Sequence, residues 1–520
     1  MNRLNFLSLN KETEEVNGVT LENLHDAMQQ AVEIEIATIP LYLNTYYSIN
    51  RSPSKDDLKP VISQSLRALG ISMKSLLSTL MAVTEFSVLD DDIKQKFKEL
   101  SDGSPSETDV TNLLSTVIII SANKIAAQIY SVFVEEMLHA ALAANVLSGM
   151  ETPKVSGSKS GEANFYFNGV LPSWPFDWAG HMPAITLNLR PLSKEQLFSF
   201  VDVETPSELP GFEELDGADP IPFTTIGEFY GAIMKVISGN DIHYRKDAPK
   251  LDPGKGYYAQ NNINSTYYGL EHQHIFENSE DAGDLIAVEG HKAKVEALQA
   301  LELIVEQGEG TSASWNGRTI NCSQNPEKEN GELSHFVKFK RAYCLLSFLE
   351  EMGDMLGMDD IKSLFVFPAV DNPTLAKTYS NDPVTHSIAN LTNAAFSYIF
   401  VMLDKCYKTE DTDEKDKVFI SIHKSMMWVI STLSQDLMPH VTYEHSGQTY
   451  SMSPTFEYYD FTKSSDTPKT QILALVDYAK TQAMQGGTMH ANFQFIVNEM
   501  EKLHTRISTL EDVELPYNLQ

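Results

Sequence analysis

Residues 125–146, IAAQIYSVFVEEMLHAALAANV, lie in the middle of a strongly apolar stretch of the chain. Their apolar side chains recur every three or four positions, which predicts one face of a helix packed in a protein core. Glu136 and His139 fall on that same face. An unpaired buried carboxylate is costly, so it needs a partner or a metal ion. This stretch therefore predicts a central helix that carries a metal-binding pair.

A second Glu-x-x-His pair occurs at Glu332 and His335, and its apolar face continues through Phe339 and Leu346. A spacing of three places both side chains on one face of a helix. Carboxylate oxygen together with imidazole nitrogen suits iron or manganese. Helix bundles with two such metals take Glu-x-x-His from two helices and one glutamate from each of the others. The sequence therefore predicts two further single glutamates.

Glu35 is the candidate on the first helix, because it shares the apolar face of Val32 and Ile39. On the helix that ends near Gln307, Glu302 and Glu306 lie one turn apart, and periodicity does not separate them. The position near the helix end favours Glu306, whereas the alternative is that either one only caps the helix or forms a salt bridge. The order along the chain is then Glu, Glu-x-x-His, Glu, Glu-x-x-His.

The chain is predicted to be mainly α, with a four-helix bundle over residues 20–350 and a C-terminal helical region over 373–520. Residues 151–285 are rich in Pro, Gly and aromatic side chains. This stretch predicts a long irregular insertion between the second and third bundle helices, packed as a lid or a substrate wall. Helices are predicted over residues 21–47, 57–86, 109–149, 194–202, 226–237, 285–307, from 327 onward, 384–407, 416–438 and 468–510.

Composition narrows the class of protein and its partners. The chain has 520 residues, 42% of them hydrophobic, and a net charge of −32, as expected of a folded globular protein that repels nucleic acid and anionic lipid. We expect neither as a partner. The most apolar run, Val117–Ile120, is also too short to span a bilayer. The N-terminus does not resemble a secretory signal. Cys322, Cys344 and Cys406 are widely separated in sequence, which favours a reducing, cytoplasmic location.

Four segments carry a resemblance to a known family: ATIPLYL at 37–43, EEMLH at 135–139, IVEQGEG at 304–310 and ELSHF at 332–336. Over about residues 20–350 the chain resembles the ferritin-like domain of iminophenyl-pyruvate dimer synthase, which also occurs in the violacein-pathway protein that couples indole-pyruvate imines. Leu41 departs from the family, which has a second proline there. The resemblance implies a ferritin-like bundle, with these residues on the family's acidic and histidine positions: Glu35, Glu136, His139, Glu306, Glu332 and His335.

Together these observations predict a non-haem di-iron or di-manganese oxidoreductase in which those six residues are the ligands and the catalytic groups. Two iron ions, or manganese, would use dioxygen on a small amine, amino-acid-derived or aromatic substrate, in secondary metabolism. One alternative is an imine-coupling dimer synthase that depends on iron or haem, although no motif for covalent haem attachment is present. The non-enzymatic alternatives are metal storage and a binding module. The sequence leaves the oligomeric state open.

Overall fold

The structure is a computed structural model that describes residues 18–150, 165–166, 170–178, 184–206, 225–244, 291–310, 320, 322, 333–409, 411–485 and 493–515. Over these residues the protein is mainly helical, as predicted. The helices are α1 Leu24–Tyr47, α2 Lys55–Leu69, α3 Met73–Ala82, α4 Asp91–Asp102, α5 Glu107–Gly149, α6 Lys194–Val203, α7 Ile226–Gly239, α8 His291–Gly308, α9 His335–Met355, α10 Pro383–Lys408, α11 Thr412–Lys424, α12 Pro468–Gln485 and α13 Phe493–Ser508.

Two short antiparallel hairpins complete the regular structure. Strand β1 (Phe176–Asp177) pairs with β2 (Thr186–Leu187), and β3 (Thr442–His445) pairs with β4 (Gln448–Ser451). The second hairpin turns through two residues that both have positive φ, as a type I′ turn requires.

Helix α5 is the centre of the fold. It begins with a capping box, in which Ser106 and Asp109 bond each other's backbone N–H, and it runs for 43 residues. Helices α1, α2, α8 and α9 all pack against it. Within the described residues it is the one helix long and apolar enough to cross a membrane, but 78% of its most apolar window is buried inside the protein. It therefore packs as a core helix.

Helix α1 continues through Pro40 to Tyr47, as the sequence predicts. The prediction of a single helix over residues 57–86 is wrong, because the first helix of this range ends at Gly70. This glycine adopts φ +64° and ends α2, and Ser72 then caps the N-terminus of α3. A left-handed residue after a helix followed by a serine cap is a common way to stop one helix and start another.

Two C-terminal helices also differ from the prediction. The helix expected over 416–438 is α-helical only as far as Lys424, after which the backbone winds as π-helix over Ser425–Ile430 and Thr432–Leu437. The helix expected over 468–510 is divided between α12 and α13, and residues 486–492 lie outside the described residues. Helix α12 packs against both α10 and α13.

The N-terminus of α9 lies at the second predicted Glu-x-x-His pair, Glu332 and His335. The helix begins at His335, and the Ser334 side chain caps it by accepting the Val337 N–H. Leu333 and Ser334 are not helical. The helix that carries His335 therefore begins at His335 itself. Glu332 itself lies outside the described residues.

The cysteines are closer in space than their spacing suggests. Cys322 forms a disulfide with Cys344 of α9, 22 residues further along the chain. Cys406 is buried and is the one unpaired cysteine that the structure describes. The expectation of a reducing compartment relied on all three being apart, so the pairing removes that argument.

Candidate metal centre

The bundle helices bring a group of buried polar side chains together. Glu35 comes from α1, Glu136 and His139 come from α5, and His335 is the first residue of α9; all four are buried. One ligand atom from each of Glu136, His139 and His335 lies within 4.8 Å of the other two, close enough to hold a metal ion. The structure thus unites four of the six residues that the sequence predicts.

The two histidines direct the same ring nitrogen at the carboxylates. His335 Nδ1 lies 2.9 Å from Glu136 Oε1, and His139 Nδ1 lies 3.8 Å from the same oxygen. His139 Nδ1 also lies 3.6 Å from Glu35 Oε2. The rings are stacked with their centroids 5.2 Å apart. Glu136 therefore stands between the two imidazoles.

His335 Nδ1 is an orphaned buried atom. Although Glu136 Oε1 is near, the angles are not those of a hydrogen bond, and Nδ1 has no hydrogen-bond partner among the residues described. Buried polar atoms nearly always find partners, and exceptions call for an explanation such as an ion. A nitrogen that faces carboxylate oxygens without bonding them fits a metal ligand.

Each histidine is held from its other side. His335 Nε2 lies 2.6 Å from Glu135 Oε2, and His139 Nε2 lies 3.0 Å from the side-chain oxygen of Gln307 on α8. Metal-binding histidines commonly donate their second N–H to a carboxylate or carbonyl in this way. Both imidazoles are therefore oriented as ligands would be.

Neutral hydroxyl groups fix the carboxylates. Thr38 Oγ donates to Glu136 Oε2 at 2.7 Å, and the Tyr230 hydroxyl of α7 donates to Glu35 Oε1 at 2.6 Å. In each case the other oxygen, Glu136 Oε1 or Glu35 Oε2, is the one that faces a histidine. The hydroxyl groups thus orient these carboxylates without neutralising their charge.

Glu204 is a buried member of the cluster that the sequence analysis missed. It follows directly after α6, accepts from the Tyr42 hydroxyl at 2.5 Å, and places the same oxygen 3.6 Å from His335 Nδ1. The signal was present, since Glu204 extends the buried stripe of Phe200 and Val201 by one turn. It went unused because the residue lies in the Pro- and Gly-rich insertion.

Helix α8 was predicted to supply a glutamate ligand, but the side chain that it directs at the cluster is the amide of Gln307. The Glu306 side chain is exposed and Glu302 is half-buried, whereas Gln307 reaches His139. Glu309, just past the end of α8, is buried and accepts the N–H of Gly227 in the first turn of α7. The structure therefore does not bring Glu306 to the cluster, because Glu306 lies on the solvent side of α8.

Helix α7 begins with a side-chain cap. Thr225 is the N-cap of α7, and its side chain accepts the backbone N–H of Glu228. This is the bond that the Thr-x-x-Glu pattern predicts.

The aromatic rings beside the cluster come from three helices: Tyr42, Phe200 and Phe339 lie with centroids 4.8–5.0 Å apart.

The titration of the cluster reflects several charges in one buried place. Burial and the nearby charge of Glu35 together raise the pKa of Glu136 to about 8, although the proximity of His335 opposes the shift. Burial lowers the pKa of His335, but the carboxylates of Glu204, Glu135 and Glu136 outweigh it and raise the pKa well above its usual value. A bound cation would stabilise the ionised carboxylates.

Comparison with known proteins agrees with this geometry. The sequence profile of the family described as ferritin-like matches residues 28–343, more than half of the chain. The chain belongs to the ferritin-like family. The matched range of this ferritin-like chain contains every cluster residue named above. The match does not extend to the narrower dimer-synthase family, which stays a prediction.

Among solved structures, the ferritin-like chain is similar to a ferritin-like protein from Caulobacter vibrioides. The two share 17% sequence identity; the match covers 79% of this chain and 95% of the other, with a TM-score of 0.36. No curated protein sequence matches the chain.

Proposed function

We propose that the protein is a dioxygen-dependent oxidoreductase that holds two iron ions, or two manganese ions, in this cluster. Its substrate would be a small amine, amino-acid-derived or aromatic molecule, as in secondary metabolism. The observation that carries the proposal is the orphaned Nδ1 of His335, which faces Glu136 and Glu204 inside the core. Mixed carboxylate and imidazole donors are those that iron and manganese take in proteins.

The donors divide into two groups around one shared carboxylate. His139 lies beside Glu35, His335 lies beside Glu204, and Glu136 Oε1 is near both histidines. This arrangement supports two cation positions with Glu136 common to both. It also replaces the predicted Glu306 with Glu204 as the fourth glutamate.

Charge supports a cation as well. Glu35, Glu136 and Glu204 are buried together, and hydroxyl groups contact them, but those bonds add no positive charge. Buried carboxylates without compensation are strongly destabilising. Divalent cations would compensate the charge and leave both histidines neutral.

When bound, the metal pair supplies a site for dioxygen and the electrons for its reduction. The protein contributes position and exclusion of water. Thr38 and Tyr230 keep the carboxylate oxygens turned toward the histidines. The aromatic rings of Tyr42, Phe200 and Phe339 pack on one side of the site, which keeps that side dry. A dry site favours controlled oxidation, since water competes less for the metal.

The test is metal content in the full-length chain. Protein loaded with Fe²⁺ without oxygen and then desalted should retain two metal ions per chain, and Glu136→Gln should retain fewer than one. Glu33→Gln is the matched control, because Glu33 is on α1, only half-buried, and bonded to Gln29. Wild-type protein that keeps no metal would refute the proposal.

A second comparison decides between the structural and the sequence-based ligand sets. Glu204→Gln should lower the retained metal, whereas Glu306→Gln should not, because the Glu306 side chain is exposed. The reverse result would restore Glu306 as the ligand and remove Glu204.

The reaction class needs its own readout. Oxygen consumption by the Fe²⁺-loaded protein should rise when amines, amino acids or aromatic acids are added. A strong Soret band in the purified protein would instead favour haem-dependent imine coupling. Uptake of many iron ions per chain without any substrate effect would favour storage.

A further inference from the structure

Glu135 is the neighbour of Glu136 in sequence, and both reach the same imidazole. Adjacent residues of a helix point about 100° apart, so they usually serve different partners. Here Glu136 Oε1 lies 2.9 Å from His335 Nδ1, and Glu135 Oε2 lies 2.6 Å from His335 Nε2. Two successive carboxylates of α5 therefore lie beside the two ring nitrogens of His335.

Lys338 fixes the outer carboxylate. It lies one turn after His335 on α9, is fully buried, and donates to both oxygens of Glu135 at 2.8 and 2.7 Å. A buried lysine needs an anion beside it, and this bidentate contact supplies one. Lys338, Glu135 and His335 thus form a continuous chain of contacts that ends at the metal centre.

The contact determines which nitrogen of His335 can bind a cation. An ionised carboxylate only accepts hydrogen bonds, so the hydrogen of a neutral His335 stays on Nε2. The lone pair is then on Nδ1, which faces Glu136 and Glu204. His139 differs, because its Nε2 contacts the neutral amide of Gln307. A carboxylate partner makes an imidazole a stronger ligand than an amide does.

We infer that Glu135, held by Lys338, is the positioning residue that orients His335 for metal binding and makes it the stronger of the two histidine ligands. Neither residue would touch the metal. This inference relies on the metal-binding function proposed above, but it concerns residues outside the ligand set. It assigns a role to a buried ion pair that the ligands alone leave unexplained.

The experiment uses Co²⁺ as the probe with the full-length protein, because its visible absorption reports the ligands as well as the affinity. Glu135→Gln should weaken Co²⁺ binding about 10- to 100-fold, the usual effect of losing such a partner, and should change the visible band. Because this variant removes the carboxylate that Lys338 contacts, its folding needs a separate control. The double variant Glu135→Gln with Lys338→Met removes both charges and retains similar side-chain volumes.

The double variant is therefore the deciding measurement. A thermal unfolding temperature near that of wild type, together with weaker Co²⁺ binding and an altered band, supports the positioning role. Gln307→Leu provides the comparison at His139 and should weaken binding less. Wild-type affinity and an unchanged band in the double variant would overturn the inference and leave the metal site intact. Absence of Co²⁺ binding by the wild-type protein would overturn both proposals.

Discussion

The charge of Glu136 should destabilise the metal-free protein, so Glu136→Gln should stabilise it. Burial and the charge of Glu35 raise the pKa of Glu136 from 4.5 to about 8. Between these two values the folded state binds a proton that the unfolded state has released. The stability contributed by this group therefore falls as pH rises through that window, and it is constant above it. Loaded protein should show the opposite effect, because the same substitution removes a ligand.

The magnitude follows from the two pKa values. Each unit of difference corresponds to about 1.4 kcal/mol. The unfavourable contribution of Glu136 is then about 2 kcal/mol at about pH 6 and about 4 kcal/mol at about pH 8. Glutamine does not titrate, so the stability gained by Glu136→Gln should be about 2 kcal/mol larger at the higher pH. The raised pKa values of His139 and His335 also favour the folded state at low pH, which acts in the same direction.

The assay is urea unfolding at both pH values with a chelator present, followed by circular dichroism. The Glu33→Gln variant serves as the control and should show no pH-dependent difference from wild type. A gain for Glu136→Gln that is the same at both pH values would refute the reasoning. It would mean that the Glu136 carboxyl titrates near its ordinary pKa, so that neither burial nor the charge of Glu35 disfavours its ionised form.

Four further outcomes follow from the same structure. Thiol titration of the unfolded, unreduced protein should find one thiol, that of Cys406; Cys322→Ser should lower the free energy of unfolding by about 3 kcal/mol, as expected for a loop closed by Cys344. Asp404→Asn should cost about 1–3 kcal/mol in urea unfolding, because Asp404 accepts two buried backbone N–H groups, including that of Tyr166. Removal of metal held at about 100 times its Kd should cost about 3 kcal/mol, measured as a lower unfolding temperature.

Much of the bundle could be predicted because α1 and α5 follow simple periodicity. Glu35 lies on the apolar face of α1, and the structure buries it beside His139. The pair Glu136 and His139 follows from the same reasoning on α5. In each case an ionisable residue occupies a position on an otherwise apolar helix face. Such a position is expected to be buried, and this expectation identified the residue as a ligand candidate. Local breaks such as Gly70 were less predictable, because an apolar pattern can continue across a turn.

Glu306 and the start of α9 show where the sequence pattern was insufficient. The choice of Glu306 relied on its position near a helix end and on resemblance, but one residue further along α8, Gln307, is the side chain that reaches the site. A serine cap starts α9 at His335, although the sequence predicts a helix from residue 327 onward. Spacing alone does not show where a helix begins, and a shift of one position turns a side chain by about 100°.

Glu135 and Glu204 were missed for physical reasons that differ. The apolar stripe of α6 indicates that Glu204 is buried, but its place beside His335 depends on how the insertion folds back on the bundle. Glu135 is adjacent to Glu136 in the sequence, but α5 is buried on nearly every side, so periodicity does not separate an inward face from an outward one. In the buried part of such a helix a charged residue needs a partner. The useful evidence is then on the facing helix, where Lys338 lies one turn from His335 and shows that a second α5 carboxylate must be near.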